Sequence, residues 1–260
     1  MAKGYGPSEV DPYFTEYLKT TGDKALTKWQ HYLPVYTREL SRFRQEPIRF
    51  LEIGVFQGGS LPLWKDFFCK ESTMVFIDID PDCEKHEIED TNVRIGNQAD
   101  PRFLEEVVQE FGPFDLILDD GSHISEHQIF SYEFLWPHIN NEGLYIVEDT
   151  HTSYWPGFGG GYQNAASFME YSKSLVDAMH SWYTDEDDVF PFNERAKELC
   201  SIRYYDSIVV IEKLIQNAIP QSFFAKNGKI EPSQSWFKKR GRTSYFAGRD
   251  GWMRKDKSTD

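Results

Sequence analysis

From residue 49 onward the hydrophobic and polar positions switch repeatedly between two periods. Arg49 to Val55, Thr73 to Ile79, Asn92 to Ile95, Phe114 to Leu118 and Leu144 to Val147 are short apolar runs of the kind that form strands buried on both faces. Between them, Leu61 to Phe68, Pro101 to Phe111 and Ile124 to Ile139 place apolar residues at helical spacing, with Pro101 suited to a first helical turn. This β-α-β-α order predicts an α/β fold: a Rossmann-like, doubly wound, mostly parallel sheet with helices on both faces.

The flanks read differently. Pro12 to Lys19 and Tyr32 to Phe43 have helical spacing, and Asp23 is placed to cap a helix running toward Tyr32. Residues 1–47 are thus expected to be a helical N-terminal cover, too small to hold a core of their own. After the core, residues 150–163 are a glycine- and aromatic-rich loop and Ala165 to Tyr183 is helical. Ile202 to Tyr205 and Ser207 to Glu212 flank a tight turn at Asp206-Ser207, which predicts a C-terminal antiparallel hairpin. Lys213 to Ala218 reads as a loop or short helix, and no periodicity is evident from Pro220 onward. The expectation is one domain over residues 1–260, with a Rossmann-like core at 48–213 and a basic tail at 214–260.

Charge sharpens this division. The net charge is −14, yet residues 221–260 carry ten Lys/Arg against four Asp/Glu, so the rest of the chain carries −20. An acidic body argues against nucleic acid as a partner. The tail suits a solvated surface, a phosphate-bearing ligand or an acidic neighbouring subunit. No apolar run reaches the ~20 residues of a membrane span, and the N-terminus has no apolar stretch of secretory type. With Cys69, Cys83 and Cys200 at neither paired nor metal-ligand spacing, a cytoplasmic location with reduced thiols is expected. Aromatic content of 16% leaves room for a homo-oligomer interface.

Chemistry concentrates at the predicted strand ends. Glu52, Gly54 and Gly58 form E-x-G-x-x-x-G, followed by Ser60 at a helix start. Glycine serves where the backbone turns sharply or a ligand comes close. The order differs from the G-x-G-x-x-G of dinucleotide sites. It resembles the first motif of class I methyltransferases, whose ligand, S-adenosylmethionine, is a sulfonium cation that suits an acidic strand end. At the second strand end Asp78, with Asp80 as fallback, is placed to accept hydrogen bonds from ribose hydroxyls. Gln98 is a candidate for the adenine edge, or a plain loop residue. Asp119 is a candidate ligand contact or helix cap.

Asp119-Asp120-Gly121-Ser122-His123 and Glu148-Asp149-Thr150-His151 end two strands expected to lie side by side. Carboxylates gathered there from Asp120, Glu148 and Asp149 repel one another unless protons or a cation neutralise them. Oxygen donors suit a hard divalent cation such as Mg²⁺. His123 is a candidate general base. Alternatively His123 and His127, four apart, bind a metal with Asp120, although Ile124 stands where the zinc-protease pattern requires Glu. His151 is a candidate substrate contact. Tyr154, Trp155 and Phe158, set among glycines, suit a mobile lid whose rings stack on an acceptor.

Taken together, L-E-I-G-V-x-x-G-G-S-L (51–61), I-D-I-D-P (77–81), D-D-G-S-H (119–123) and V-E-D-T-H (147–151) resemble the metal-dependent sugar O-methyltransferases of macrolide biosynthesis, the mycinamicin and macrocin type. The cephalosporin hydroxylase group shares this core. The resemblance covers residues 48–155 and extends to the hairpin near 202–212. It implies metal binding by Asp120, Glu148 and Asp149, a base at His123 and a cofactor loop from Glu52 to Ser60. Residues 1–47 are not expected to correspond to the mycinamicin enzyme's large additional N-terminal domain, so its assembly and macrolide specificity are not carried over to this chain.

The resulting expectation is S-adenosylmethionine-dependent, metal-assisted methylation of a hydroxyl on a sugar or glycosylated natural product. The alternatives are a catechol-like or other small acceptor, an iron hydroxylase, and a non-catalytic binding protein on the same fold.

Overall fold

Two short helices precede the first strand in the computed structural model, which describes residues 10–184, 188–217 and 222–232. Helix α1 (Pro12–Thr20) starts at Asp11, whose carboxylate accepts a hydrogen bond from the Tyr13 N–H, and Pro12 fits the first turn. Helix α2 (Tyr32–Leu40) follows an irregular stretch. The helix expected from Asp23 toward Tyr32 does not form: residues 21–29 have no helical backbone. This stretch lies against the glycine loop instead. A Cβ added at Gly59 would stand 2.3 Å from the Ala25 carbonyl oxygen, a clearance only bare backbone can meet.

The core alternates as the periods predict: β1 (Arg49–Ile53), α3 (Ser60–Phe67), β2 (Thr73–Asp78), β3 (Thr91–Ile95), α4 (Pro101–Phe111), β4 (Phe114–Asp119), α5 (Ser125–Leu135) and β5 (Ile139–Val147). Beyond these come α6 (Phe168–His180), β6 (Leu199–Tyr205) and β7 (Ile208–Lys213). The seven-stranded sheet has the order β3-β2-β1-β4-β5-β7-β6. β1 pairs in parallel with β2 on one side and β4 on the other, β4 with β5, and β7 runs antiparallel to β5. The strand order reverses between β1 and β4, so a crevice opens at their carboxyl ends, where ligands bind in doubly wound sheets.

Two details depart from expectation. α5 stops at Leu135 and tightens into a 3₁₀ turn, Trp136–His138; Pro137 has no N–H with which to continue the helical ladder. β5 begins five residues earlier than its apolar run, with a register shift against β4 between Phe114 and Leu116. Its polar start, Asn140-Asn141-Glu142, hides it from an apolar pattern.

The helical cover is part of the main core. Phe14, Tyr32, Val35, Tyr36 and Leu40 are buried in one cluster with Phe50, Trp64, Phe67 and Phe76. Rings meet at 5.0 Å between Phe14 and Phe67 and at 5.2 Å between Tyr36 and Trp64. Each such fully buried ring contributes roughly 1.5–3 kcal/mol, so α1 and α2 are anchored strongly over β1 and α3.

Two compact units are distinguished by their internal packing: Met1–Tyr171 with Ile202–Lys213, and Ser172–Ser201 with Leu214–Asp260. In the second, the Trp182 Nε1–H donates to the Ala196 carbonyl at 2.7 Å. It also holds a two-stranded hairpin, β8 (Phe223–Lys226) and β9 (Lys229–Pro232), where no regular structure was expected. Asn227 and Gly228, with φ of 51° and 74°, form the turn; positive φ at both positions is what a tight hairpin demands. Most of the predicted basic tail lies outside the described residues. Among the described residues, no helix is long and apolar enough to cross a membrane.

Candidate active site

The carboxyl ends of β1, β2 and β4 and the turns after them enclose a cavity of about 620 Å³. Of the predicted site residues, Gly54, Ser60, Asp78, Gln98, Asp120, His123 and Asp149 line it. Glu52, Gly58, Asp119, Glu148 and the aromatic trio Tyr154, Trp155 and Phe158 are not among its lining residues.

Chain geometry explains the glycine loop. Gly54 has a φ of +106°, and a Cβ there would lie 2.2 Å from the Asp120 carbonyl oxygen. Gly58 has a φ of +75°, with His86 at 2.7 Å from its virtual Cβ. The sharp turn expected of these glycines is present, while the groups crowding them belong to the chain itself. Asp78 braces the same loop. Its Oδ2 accepts from the N–H groups of Val55 at 2.8 Å and Phe56 at 3.1 Å, and its Oδ1 from Asp80 at 2.9 Å. Burial works to raise this carboxyl, but the backbone N–H groups of Asp80, Val55 and Phe56 outweigh it and hold Asp78 below its usual value. Backbone N–H groups engage three acceptor positions and the Cys83 thiol also bonds this carboxylate, so most of its acceptor capacity serves the loop itself. Asp80 caps the turn that follows, accepting from the Asp82 N–H at 2.9 Å.

Gln98 is also committed internally. Its amide donates to Asp119 Oδ1 at 3.1 Å and to Ser131 Oγ at 3.0 Å, and its carbonyl accepts from the Ser122 N–H at 2.8 Å. Asp119 lies fully buried beneath the cavity, where the Tyr145 hydroxyl also donates to it at 3.1 Å. It does not cap α5, whose N-cap position is Ile124. Burial pushes its carboxyl up to about 7, against the hydrogen bonds from Gln98, Gly121 and Tyr145. Between its unfolded value near 4 and the folded value, the folded chain keeps a proton that the unfolded chain releases, so this group's contribution to stability falls as pH rises. Asp119→Asn should therefore lose about 2–3 kcal/mol less than the wild type between pH 5 and pH 8, as measured by urea unfolding at both. Equal losses in the two proteins would place the carboxyl's folded value near its unfolded one.

The acidic cluster comes from paired residues at two strand ends. Adjacent residues on a strand point to opposite sides: Asp119 pairs with Val147 in the sheet and turns to one face, toward Gln98 and Tyr145, whereas Asp120 and Glu148 share the other, toward Lys28. Glu148 is fully buried, whereas Asp120 and Asp149 are about a quarter exposed. His123 Nε2 lies 4.0 Å from Asp120 Oδ1 and 3.6 Å from Asp149 Oδ2. Asp120, His123 and Asp149 each offer a ligand atom, all within 4.8 Å of one another, a donor set that can hold a metal ion. The Nδ1 of His123 is buried without a hydrogen-bond partner. His123 and Asp149 both have left-handed backbone, φ 57° and 52°. Such strain clusters where side-chain aim matters. The two are held by Thr152, whose hydroxyl donates to the His123 carbonyl at 2.9 Å and to the Asp149 carbonyl at 2.8 Å.

The N-terminal cover supplies residues that no motif marked. Lys28 Nζ donates to Asp120 Oδ2 at 2.6 Å and to Glu148 Oε2 at 2.8 Å, and stands 3.6 Å from Glu52 Oε1. The Tyr36 hydroxyl bonds the other Glu148 oxygen. Tyr32 and Trp29 donate to Asp149 Oδ1 at 2.6 and 3.0 Å. Burial alone would lower Lys28, but Asp120, Glu148, Tyr36 and Glu52 outweigh it and hold it protonated. Burial pushes Glu52 up to about 7 against Lys28, Ser60 and Trp64, and pushes Glu148 upward against Lys28. Among the described residues, the group whose ligand atoms lie close enough to share an ion is Asp120, His123 and Asp149; Glu148 stands outside it, bonded by Lys28 and Tyr36.

The segment expected to form a lid carries short turns and hydrogen bonds of its own. Residues 150–158 form two short 3₁₀ turns, and the Asn164 amide donates to the Gly159 and Gly160 carbonyls, both at 3.1 Å. Trp29, His151, Trp155 and Phe158 form a row of rings with successive centroid distances of 5.9, 4.8 and 5.8 Å. His151 is fixed by Ser207 Oγ at 2.6 Å.

A Rossmann-type sheet, a glycine turn braced by a strand-end aspartate and an acidic crevice with a histidine define a class I methyltransferase fold. Residues 51–150 match the family described as Methyltransferase domain. The chain resembles the macrolide-type sugar O-methyltransferases. It is 35% identical to demethylmacrocin O-methyltransferase of Streptomyces fradiae, over 75% of this chain and 53% of that protein. It is 33% identical to mycinamicin VI 2''-O-methyltransferase of Micromonospora griseorubida, over 70% of this chain and 48% of that protein. Among solved structures, the methyltransferase MycE of the mycinamycin biosynthetic pathway, in complex with Mg and SAH, superimposes with a TM-score of 0.68 at 30% identity, covering 79% of this chain and 54% of that one. A second MycE complex, with Mg, SAH and mycinamycin VI, gives the same TM-score at 29% identity. The chain spans about half the length of these relatives.

Proposed function

We propose that this chain catalyses S-adenosylmethionine-dependent, divalent-cation-assisted O-methylation of a hydroxyl on a sugar or glycosylated natural product. The observation that carries the reading is the convergence of Asp120, His123 and Asp149 on the wall of a cavity that Asp78 and the Gly54 turn also line. Residues 48–213 carry the activity in this reading, with 1–47 as cover and 214–260 as tail. The cavity's size suits a small molecule, and the names of the relatives support a glycosylated acceptor.

When bound, the cofactor would supply an activated methyl group, and a divalent cation held by Asp120 and Asp149, with Glu148 behind them, would make the acceptor hydroxyl more acidic. Asp78 and the Gly54 turn orient the cofactor's ribose end. His123 accepts the hydroxyl proton on Nε2 as the oxygen attacks. Asp120 and Asp149 stabilise the positive charge that the imidazole then carries. Trp29 and Tyr32 keep Asp149 aimed by hydrogen bonds to Oδ1. Trp155 and Phe158, with Tyr154 beside them, offer ring faces to the acceptor. The close grouping of His123 with Asp120 and Asp149 favours one second reading, in which His123 is itself a cation ligand.

Titration with S-adenosylmethionine and its demethylated product, each with and without Mg²⁺, tests the reading. Both ligands should bind, and labelled methyl should pass to a glycosylated macrolide only with the cation present. If neither ligand binds, the cofactor assignment is wrong. Undiminished transfer after chelation would remove the cation from the mechanism.

A further inference from the structure

Lys28 is an unusual cation for this position. Its side chain is only 5% exposed, and it reaches the acids from the irregular residues 21–30, not from a helix or strand. Its two shortest contacts, 2.6 Å to Asp120 Oδ2 and 2.8 Å to Glu148 Oε2, take oxygens of two of the three carboxylates read above as cation ligands. The strap that carries it is seated. Lys24 Nζ bonds the His86 carbonyl, Trp29 Nε1 donates to Asp149 at 3.0 Å, and the Ala25 carbonyl rests on Gly59. Ala25, Leu26, Thr27 and Lys28 form one wall of the cavity that Asp78 and His123 also line.

A divalent ion and the Lys28 ammonium compete for those oxygens. A Mg²⁺ ion needs carboxylate oxygens at about 2.0–2.1 Å in near-octahedral array. Bound to the oxygens that Lys28 now holds, it would stand within about 5 Å of the ammonium, and at that separation like charges repel at any dielectric of a protein interior. Without some cation, however, Asp120, Glu148 and Glu52 would face one another uncompensated.

We propose that Lys28 is a tethered cation that neutralises Asp120 and Glu148 in the ion-free protein, and that a divalent ion binds by displacing it, lifting the strap of residues 21–30 from the cavity wall. This rests on the divalent-cation reading of the site. Lys28 then sets the site's affinity for the ion and couples ion binding to the shape of the cavity. It is a positioning residue, acting through the carboxylates.

Calorimetric titration of the full chain with Mg²⁺ and with Mn²⁺ tests this, using wild type, Lys28→Met and Lys28→Arg. Lys28→Met should bind either ion at least about tenfold more tightly than wild type, a difference of about 1.4 kcal/mol, and Lys28→Arg should not. In wild type, saturating Mg²⁺ should speed amide hydrogen exchange in a peptide spanning 21–31, a readout that needs no variant and decides the matter if Lys28→Met fails to fold. Equal affinities together with unchanged exchange would overturn the proposal and leave the cation site standing. Absence of binding by either ion to all three proteins would overturn the proposal and the cation reading together.

Discussion

Replacing His123 with alanine is expected to slow methyl transfer about 10²–10⁴-fold, the usual contribution of a positioned general base, while S-adenosylmethionine still binds. The expectation rests on placement. Nε2 is the ring atom turned toward Asp120 and Asp149, at 4.0 and 3.6 Å, and the ring reaches this pose because residue 123 has a φ of 57°. Alanine tolerates that backbone poorly, whereas asparagine tolerates it better. His123→Asn therefore separates loss of the base from loss of the turn. Single-turnover transfer of labelled methyl, run beside cation titration of each variant, distinguishes the two roles open to this residue. A slow variant with wild-type cation affinity identifies the base. A parallel collapse of cation affinity identifies a ligand. Full turnover in both variants would remove His123 from the chemistry.

The sheet was legible because its strands are buried on both faces and so appear as plain apolar runs. β1 and β4 are the clearest cases, with burial broken only at Arg49 and Asp115. The acids at the strand ends were legible for the same reason, since a charge that ends such a run marks where the strand leaves the core. Telling neighbouring acids apart required the pleat. Asp119 turns to the face of Gln98 and Tyr145 and is fully buried, while Asp120 shares the opposite face with Glu148 and stays about a quarter exposed. The strap stayed hidden because its meaning is entirely long-range. Lys28 meets partners 92 and 120 residues away, and nothing local to Ala25-Leu26-Thr27-Lys28-Trp29 signals an internal cation. The last hairpin carried its signal in Asn227-Gly228. Its flanks, Phe223, Phe224 and Ile230, are exposed and show no alternation to frame that turn.

Asp120→Asn is expected to lower methyl transfer about 10³-fold, since a cation's stabilisation of developing charge is worth several kcal/mol, with cofactor affinity retained. The substitution keeps the side chain's shape and removes one negative charge from the cavity wall. Asp120 touches the cofactor loop through its backbone, where its carbonyl closes over Gly54, and that contact survives. Removing one partner of a buried ion pair can cost 3–5 kcal/mol. Here Lys28 keeps Glu148 at 2.8 Å, and the residue lost is partly exposed, so the expected cost in stability is only about 1 kcal/mol. Thermal unfolding measures that cost, and titration with the cofactor and its demethylated product measures affinity. Loss of cofactor binding in a folded Asp120→Asn protein would assign this carboxylate to the cofactor. Unchanged transfer would mean that Asp149 and His123 carry the cation chemistry without it.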